Sequence, residues 1–238
     1  MKENIIYDLL YPQNITCICC NEDVFSDDKR CICPKCDKTL PKIEGKICFR
    51  CGQIVKTIDK YCDMCKKPKH YYMARACFEY TGKIIALIRN LKFHNAQYLA
   101  ENLAACLFET YKKEKFKCDI IVPVPMREER LKKRGYNQAG LLAYHLGKML
   151  NVPVEEKHLY KARETLNQVG LDYKTRRNNL TDAFKTTDKT FFKGKDVLIV
   201  DDVFTTGATI ESCASALKKG KARKIYAITV AHTKPKLD

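Results

Sequence analysis

The spacing of the cysteines constrains this chain more than any other feature. Ten of its 14 cysteines lie between Cys17 and Cys65, and eight of these ten form four Cys-x-x-Cys pairs. Two cysteines on one tight turn direct both sulfurs at the same ion, and two such turns complete a tetrahedral S₄ site of the kind that suits Zn²⁺. The spacing therefore predicts two zinc ions. The predicted ligands are Cys17, Cys20, Cys33, Cys36, Cys48, Cys51, Cys62 and Cys65.

The pairing of the four turns is open from spacing alone. Sequential pairing, which gives two small ribbons, is preferred, but an interleaved pairing of first with third and second with fourth has the same spacings. Gly52 follows Cys51 directly and fits a turn that requires a positive φ. Cys19 and Cys31 lie beside predicted ligands and are alternatives to them. A closed S₄ site has no open coordination position, so the predicted zinc is structural.

Composition divides the chain into a zinc ribbon segment, residues 1–70, and a larger segment, residues 71–238. The first segment has few large apolar residues, and a piece this small usually needs metals to hold it. The formal charge of +16 is divided as +3 and +13. Eight thiolates and two zinc ions would bring the first segment to about −1, which leaves the basic excess in the second. The polar stretch from Lys66 to His70 is interpreted as the linker.

No stretch of the sequence resembles a membrane span or an export signal. A spanning helix needs about 20 consecutive apolar residues, and the longest apolar runs here are far shorter. The first 14 residues have no apolar core and no small-residue cleavage site. The sequence therefore predicts a cytoplasmic protein without membrane insertion, in which the cysteines bind metal rather than form disulfides. The scattered Cys77, Cys106, Cys118 and Cys213 are interpreted as small core residues.

The second segment alternates between strand and helix patterns. Strands are predicted at Ala74–Tyr80 (an edge strand), Asp119–Pro125, Asp196–Val200 and Lys224–Val230 (a closing strand), and helices at Lys83–Leu91, Gln97–Tyr111, Gln138–Leu150 and Ala208–Lys218. The strand at Asp196–Val200 is almost continuously apolar, as expected when helices cover both faces of a parallel sheet. The pattern predicts an α/β fold with an open, mainly parallel sheet flanked by helices.

The most specific stretch runs from Val197 to Ile210. It reads as a buried strand, two acids at a solvent-facing strand end, a loop of small residues and a helix. Carboxylates at the end of a parallel strand lie where open α/β sheets bind ligands, and they accept hydrogen bonds from ribose hydroxyls. The loop that follows offers backbone N–H groups at a helix N-terminus, which bind phosphate. The predicted ligand residues are Asp201, Asp202, Thr205, Thr206, Gly207, Ala208 and Thr209.

These residues resemble the phosphoribosyl diphosphate signature of type I phosphoribosyltransferases. Other positions narrow the resemblance to the ComF family of competence proteins: the segment Asp119–Pro125, the run Arg134-Gly135-Tyr136-Asn137-Gln138, and Arg163, Thr165, Gln168, Arg176, Asn179, Ala183 and Phe184. The resemblance implies a double zinc ribbon ahead of a phosphoribosyltransferase-type domain. It implies phosphoribosyl diphosphate with Mg²⁺ as ligand, Asp201 and Asp202 on the ribose hydroxyls, and residues 205–209 on the 5′-phosphate. It also implies a role with single-stranded DNA in natural transformation and a DNA-uptake helicase as a candidate partner.

A basic stretch allows three interpretations. Its cations are Arg127, Arg130, Lys132, Lys133 and Arg134, with Lys161 and further arginines later and with Tyr136, Tyr144, Tyr160 and Tyr173 between them. Cations beside aromatic rings are typical of single-strand binding. Guanidinium groups also suit a diphosphate, and a solvated charged face is the third interpretation. The spacing does not separate the three.

Three functions are therefore compatible with the sequence. The preferred one is a competence-associated protein that binds phosphoribosyl diphosphate and single-stranded DNA. The second is an active phosphoribosyltransferase, which transfers the 5-phosphoribosyl group to a nitrogen acceptor and releases diphosphate. The third is a zinc-dependent protein adaptor. No catalytic residue and no acceptor base is predicted, so enzymatic activity is left open, and Pro123 and Pro125 in the loop expected to face the diphosphate weigh against transfer.

Overall fold

A computed structural model describes residues 15–24, 28–55, 59–162 and 183–234. The helices are α1 (Pro34–Thr39), α2 (Asp63–Lys66), α3 (Gly82–Phe93), α4 (Leu99–Lys113), α5 (Glu128–Arg134), α6 (Gln138–Leu150) and α7 (Ala208–Lys219). The strands are β1 (Met73–Glu79), β2 (Ile120–Pro123), β3 (Leu159–Lys161), β4 (Phe184–Thr186), β5 (Asp196–Phe204) and β6 (Lys224–His232). No helix in these ranges is long and apolar enough to cross a membrane.

Within the described residues the main sheet has four parallel strands in the order β1-β6-β5-β2. The predicted edge strand at 74–80 is confirmed as β1, but the last strand lies in the centre of the sheet. β5 is four residues longer than predicted, so both acids lie within it. A short antiparallel pair, β3 with β4, was not predicted; three-residue strands carry too little pattern to be recognised.

Alternation along β5 gives the sheet two apolar layers. Leu198 and Val200 contribute to one core and Val197 and Ile199 to the other. The buried side chains of α3, α4 and α6 pack in the first layer and those of α7 in the second. Covering both faces with helices requires strands that are apolar on both sides, so the predicted architecture is confirmed.

The zinc ribbon segment shares these two cores. Val24, Ile32 and Leu40 belong to the layer of α3 and α4, and Cys48, Cys51 and Cys65 belong to the layer of α7. Polar contacts cross the same boundary, since Ala74 N–H donates to the Arg50 carbonyl at 2.7 Å and the Asn102 amide donates to the Lys29 carbonyl at 2.9 Å. The boundary at residue 70 stays a prediction.

The four scattered cysteines follow the sequence prediction in part. Cys106 and Cys213 are buried, whereas Cys77 and Cys118 are half-buried. Each of the latter has a hydroxyl partner: Thr110 Oγ1 lies 3.3 Å from Cys77 Sγ, and Tyr111 Oη lies 3.7 Å from Cys118 Sγ. All four therefore have surroundings in the fold that need no metal.

Candidate functional site

The eight predicted zinc ligands form two separate tetrads. Within each tetrad all sulfur atoms lie within 4.8 Å of one another, and the pairing is sequential. The first tetrad is Cys17, Cys20, Cys33 and Cys36, and the second is Cys48, Cys51, Cys62 and Cys65. Cys19 and Cys31 belong to neither tetrad. Two compact sets of four thiols fit two structural zinc ions, because a tetrahedral S₄ site needs this donor set and no other ligand.

The two tetrads are built on the same local turn. The residue after the second cysteine is left-handed in both ribbons, Asn21 at φ 61° and Gly52 at φ 74°. Its N–H donates to the carbonyl of the first cysteine, Cys17 or Cys48, at 2.8 and 2.9 Å. The positive φ of Gly52 was predicted, and that of Asn21 was missed. Asparagine tolerates this conformation, which is the signal that was available.

Hydrogen bonds to sulfur support the same assignment. The N–H of Cys33 donates to Cys17 Sγ and that of Cys62 to Cys48 Sγ, both at 3.3 Å. Lys83 at the start of α3 places its ammonium 3.2 Å from Cys36 Sγ. Donors around the ligands stabilise negative thiolates. The first tetrad is therefore connected directly to the helix that leads to the cleft described next.

An open cleft of about 440 Å³ lies at the carboxyl ends of β2 and β5. Parallel neighbours end at the same sheet edge, so the segment after β2 faces the acids of β5. The lining residues are Lys92, Phe93, Val124, Pro125, Met126, Arg127, Arg130, Arg134, Asn137, Gln138, Lys161, Phe184, Asp201, Asp202, Val203, Thr205 and Thr209. Two acids and five cations thus share one cavity.

The two acids have different surroundings. Asp202 is only 4% exposed, and its Oδ2 lies 2.7 Å from the ammonium of Lys92. The expectation that both acids face solvent is therefore wrong for Asp202, because α3 places the side chain of Lys92 against its carboxylate. Burial and the charge of Asp202 raise the pKa of Asp201 to about 7. Carboxylates are ligands that Mg²⁺ prefers, so this pair fits a Mg²⁺ that arrives with phosphates.

The threonine loop forms the predicted turn into a helix. Gly207 caps α7 at φ 73°, and a Cβ there would meet the Phe204 ring at 2.4 Å. Thr205 and Thr209 line the cleft, whereas Thr206 Oγ1 accepts from the N–H of Ala208 at 3.4 Å. Thr206, Gly207 and Ala208 are not among the residues that line the cleft, so their part in ligand binding stays a prediction.

The structure divides the basic stretch into two groups. Arg127, Arg130 and Arg134 line the cleft, while Lys132 and Lys133 are exposed and outside the lining. Residues three and four apart share one face of a helix, which accounts for the division along α5. The structure therefore brings three of the five predicted contact residues into the cleft, and whether each cation contacts DNA or a diphosphate stays a prediction.

The run from Arg134 to Gln138 connects α5 to α6 and makes hydrogen bonds beside the cleft. Gly135 ends α5 at φ 83°, and Arg134 donates to the Gln138 side chain. The Asn137 side chain caps α6 and donates to the Val124 carbonyl at 3.1 Å. Tyr136 is buried, and its hydroxyl donates to the Leu91 carbonyl. The suggestion that Tyr136 stacks with bases is therefore wrong, whereas Tyr144 and Tyr160 are exposed.

Two residues of the cleft lining, Lys92 and Phe93, were missed by the sequence interpretation, and a third, Lys161, was named there only among the later cations of the basic stretch. Lys92 and Phe93 lie in the last turn of α3, just beyond the predicted helix end. Lys161, one basic residue among several in the sequence, lines the cleft. Burial, together with the charges of Arg127 and Arg130, lowers the pKa of Lys161 to about 8. None of the three belongs to a local motif, so only their position reveals them. The predicted Arg163, Thr165, Gln168, Tyr173, Arg176 and Asn179 lie outside the described residues.

Comparisons with known proteins cover both parts of the chain. Residues 92–237 match the phosphoribosyl transferase domain family and residues 6–66 match the double zinc ribbon domain family. The chain is 30% identical to Competence protein F of Haemophilus influenzae, over 87% of this chain and 92% of that protein. It is 27% identical to DNA utilization protein YhgH of Escherichia coli K12, over 85% and 90% of the two chains. It is 26% identical to Competence protein ComFC of Bacillus subtilis, over 84% and 83%. The chain therefore belongs to the ComF family, with a double zinc ribbon ahead of a phosphoribosyl transferase domain.

Proposed function

We propose that the cleft binds phosphoribosyl diphosphate with Mg²⁺ and that the protein handles single-stranded DNA during natural transformation. The observation that carries the first part is the meeting of the two acids, the threonine loop and the arginines of α5 in one cavity. A sugar that carries phosphate at one end and diphosphate at the other needs these three kinds of group together.

Each group suits one part of that ligand. Asp201 and Asp202 accept hydrogen bonds from the vicinal ribose hydroxyls. The N-terminus of α7, with Thr205 and Thr209, receives the 5′-phosphate, because free N–H groups and the helix dipole both favour an anion. Arg127, Arg130 and Arg134 face the diphosphate, for which guanidinium groups suit bidentate contacts. A bound Mg²⁺ would neutralise part of the negative charge of the diphosphate.

The competence role rests on the relatives and on charge. Relatives of nearly the same length are named for competence or for DNA utilization. The net charge of +16 favours a polyanion, and the exposed Lys132 and Lys133 lie outside the cleft lining, where they can contact phosphates of a strand. We propose binding to single strands with little sequence preference, with a DNA-uptake helicase as the candidate protein partner and the cytoplasm as the compartment.

Calorimetric titration of the purified protein with phosphoribosyl diphosphate and Mg²⁺ tests the cleft. Asp201→Asn with Asp202→Asn should abolish or strongly weaken binding, since each charge-assisted hydrogen bond removed is worth about 1.5–3 kcal/mol. Asp119→Asn is the matched control, because this exposed acid precedes β2 and lies at the opposite end of the sheet. Equal affinity in the double variant and the control would contradict the assignment. Release of diphosphate on addition of a nucleobase would establish the alternative, an active phosphoribosyltransferase.

A further inference from the structure

Phe93 is an exposed aromatic residue in the wall of the cleft. It is the last residue of α3, and 68% of its surface is accessible. A single exposed phenylalanine needs no explanation by itself. Phe93 differs from such a residue because it lies in a cleft whose polar lining residues are largely cations and the two acids.

The two residues that precede Phe93 in α3 are both held in place. Lys92 is paired with the buried Asp202 at 2.7 Å. Leu91 is fully buried, and its carbonyl accepts the hydroxyl of Tyr136. A ring whose neighbours are fixed loses little conformational freedom when a ligand packs on it, which favours its use as a binding surface.

Arg134 extends this surface. Its guanidinium carbon lies 5.1 Å from the centroid of the Phe93 ring, and its side chain is held by Gln138. The guanidinium is planar and favours aromatic faces as well as phosphate. Phe93 and Arg134 together therefore offer an apolar ring and a planar cation at the same point of the cleft.

We propose that Phe93, supported by Arg134, is the stacking surface for a nucleobase in the cleft. A nucleobase is a planar heteroaromatic ring that is attached to phosphates or is brought beside a phosphoribosyl group, and the cations and acids around Phe93 suit both situations. The base comes from one of two sources, a single-stranded oligonucleotide or a free base beside phosphoribosyl diphosphate. The inference rests on the proposed function because the ring shares the cleft assigned to that ligand.

The chain contains no tryptophan, so a single substitution gives a clean optical probe. Phe93→Trp would report stacking as quenching of its fluorescence. The matched control is Tyr98→Trp, since Tyr98 is 70% exposed but is not among the described residues that line the cleft. Each variant is titrated with a single-stranded oligonucleotide, with an abasic strand of the same length, and with adenine in the presence of phosphoribosyl diphosphate and Mg²⁺.

We expect quenching of Phe93→Trp, and not of Tyr98→Trp, by the oligonucleotide or by adenine, and none by the abasic strand. Quenching by the oligonucleotide assigns the base to DNA, and quenching by adenine assigns it to an acceptor. Phe93→Ala should weaken the binding of the quenching ligand about fivefold to 150-fold, and Phe93→Tyr should restore it. The exposed ring contributes nothing to the core, so the loss is not one of folding.

Absence of quenching by both base-bearing ligands, or equal quenching by the abasic strand, would overturn the inference. The proposed function is judged separately, by calorimetry of the unmodified protein with phosphoribosyl diphosphate and Mg²⁺. If phosphoribosyl diphosphate binds but Phe93→Trp is not quenched, only the proposed stacking surface is overturned. If the oligonucleotide quenches Phe93→Trp but phosphoribosyl diphosphate does not bind, only the phosphoribosyl assignment is overturned.

Discussion

Gly207→Ala should damage both stability and ligand binding through one methyl group. Gly207 has φ 73° and caps α7. An added Cβ would lie 2.4 Å from the tip of the Phe204 ring. Phe204 has no room to yield, because it is 3% exposed and stacks on His232 with 4.7 Å between ring centroids. The substitution therefore forces the loop that faces the proposed 5′-phosphate to move.

Gly194→Ala separates the two costs of this substitution. Gly194 has nearly the same φ, 74°, but no atom lies within 4 Å of an added Cβ. The left-handed conformation costs either alanine about 1–2 kcal/mol. Only Gly207→Ala also introduces overpacking, which typically costs about 1–3 kcal/mol. The free energy of unfolding should thus fall by about 1–3 kcal/mol more in Gly207→Ala.

Urea denaturation with zinc saturating measures this difference, and calorimetry with phosphoribosyl diphosphate measures binding. Binding should weaken in Gly207→Ala and stay unchanged in Gly194→Ala. Losses of stability that agree within about 0.5 kcal/mol would refute the steric reasoning, since the overpacking expected only at Gly207 costs about 1–3 kcal/mol. Phe204→Leu combined with Gly207→Ala should recover part of the loss, because leucine removes the ring atoms in conflict.

Three further predictions follow from the tetrads, the titrating groups and the arginines. Elemental analysis should find about two Zn²⁺ per chain, and Cys48→Ser should lower this number to about one. Cys48→Ser should also destabilise the protein more than Cys106→Ser, because Cys106 is buried outside the tetrads. A native protein without zinc would contradict this prediction. Affinity for phosphoribosyl diphosphate should rise through about pH 7 as Asp201 ionises and fall above about pH 8 as Lys161 loses its proton. In a plot of affinity against pH, Asp201→Asn should remove the rise near pH 7 and Lys161→Arg the fall above pH 8. An unaltered pH dependence in both variants would refute the assignment. Replacing Arg127, Arg130 and Arg134 by Ala should abolish binding of phosphoribosyl diphosphate, whereas Lys132→Ala with Lys133→Ala should preserve it. For oligonucleotide binding, each phosphate that a variant no longer neutralises should reduce the slope of log affinity against log salt concentration by about 0.7. Equal effects of the two variants on both ligands would contradict the division of the basic stretch.

Some features of this protein are local in sequence, and these were predictable. A Cys-x-x-Cys turn brings its two sulfurs together whatever the rest of the chain does, so the eight cysteines that form the two tetrads were predictable from spacing alone. The order of strand, acids, loop and helix from Val197 onward is likewise contiguous, and it folds as one unit. The buried face of α3, with Ile84, Leu87, Ile88 and Leu91, follows from helical periodicity.

Other features depend on which distant segments pack together. Sequential and interleaved tetrads have the same spacings, and only the fold distinguishes them. Lys92 meets Asp202 across a long stretch of intervening chain, because α3 and β5 end at the same edge of the sheet. Lys161 reaches the cleft from β3, a strand too short to leave a pattern.

The sequence by itself determined the two kinds of building block, zinc ribbons and an open α/β sheet, together with the residues proposed to bind zinc and phosphate. The tertiary structure decided which cations meet the acids, which of them stay on the surface, and that the ribbons share the two cores of the sheet. The physical reason is the separation along the chain of the residues that interact. Turns and periodic faces are fixed within one or two turns of chain, whereas the charge environment of a site depends on segments that only packing brings together.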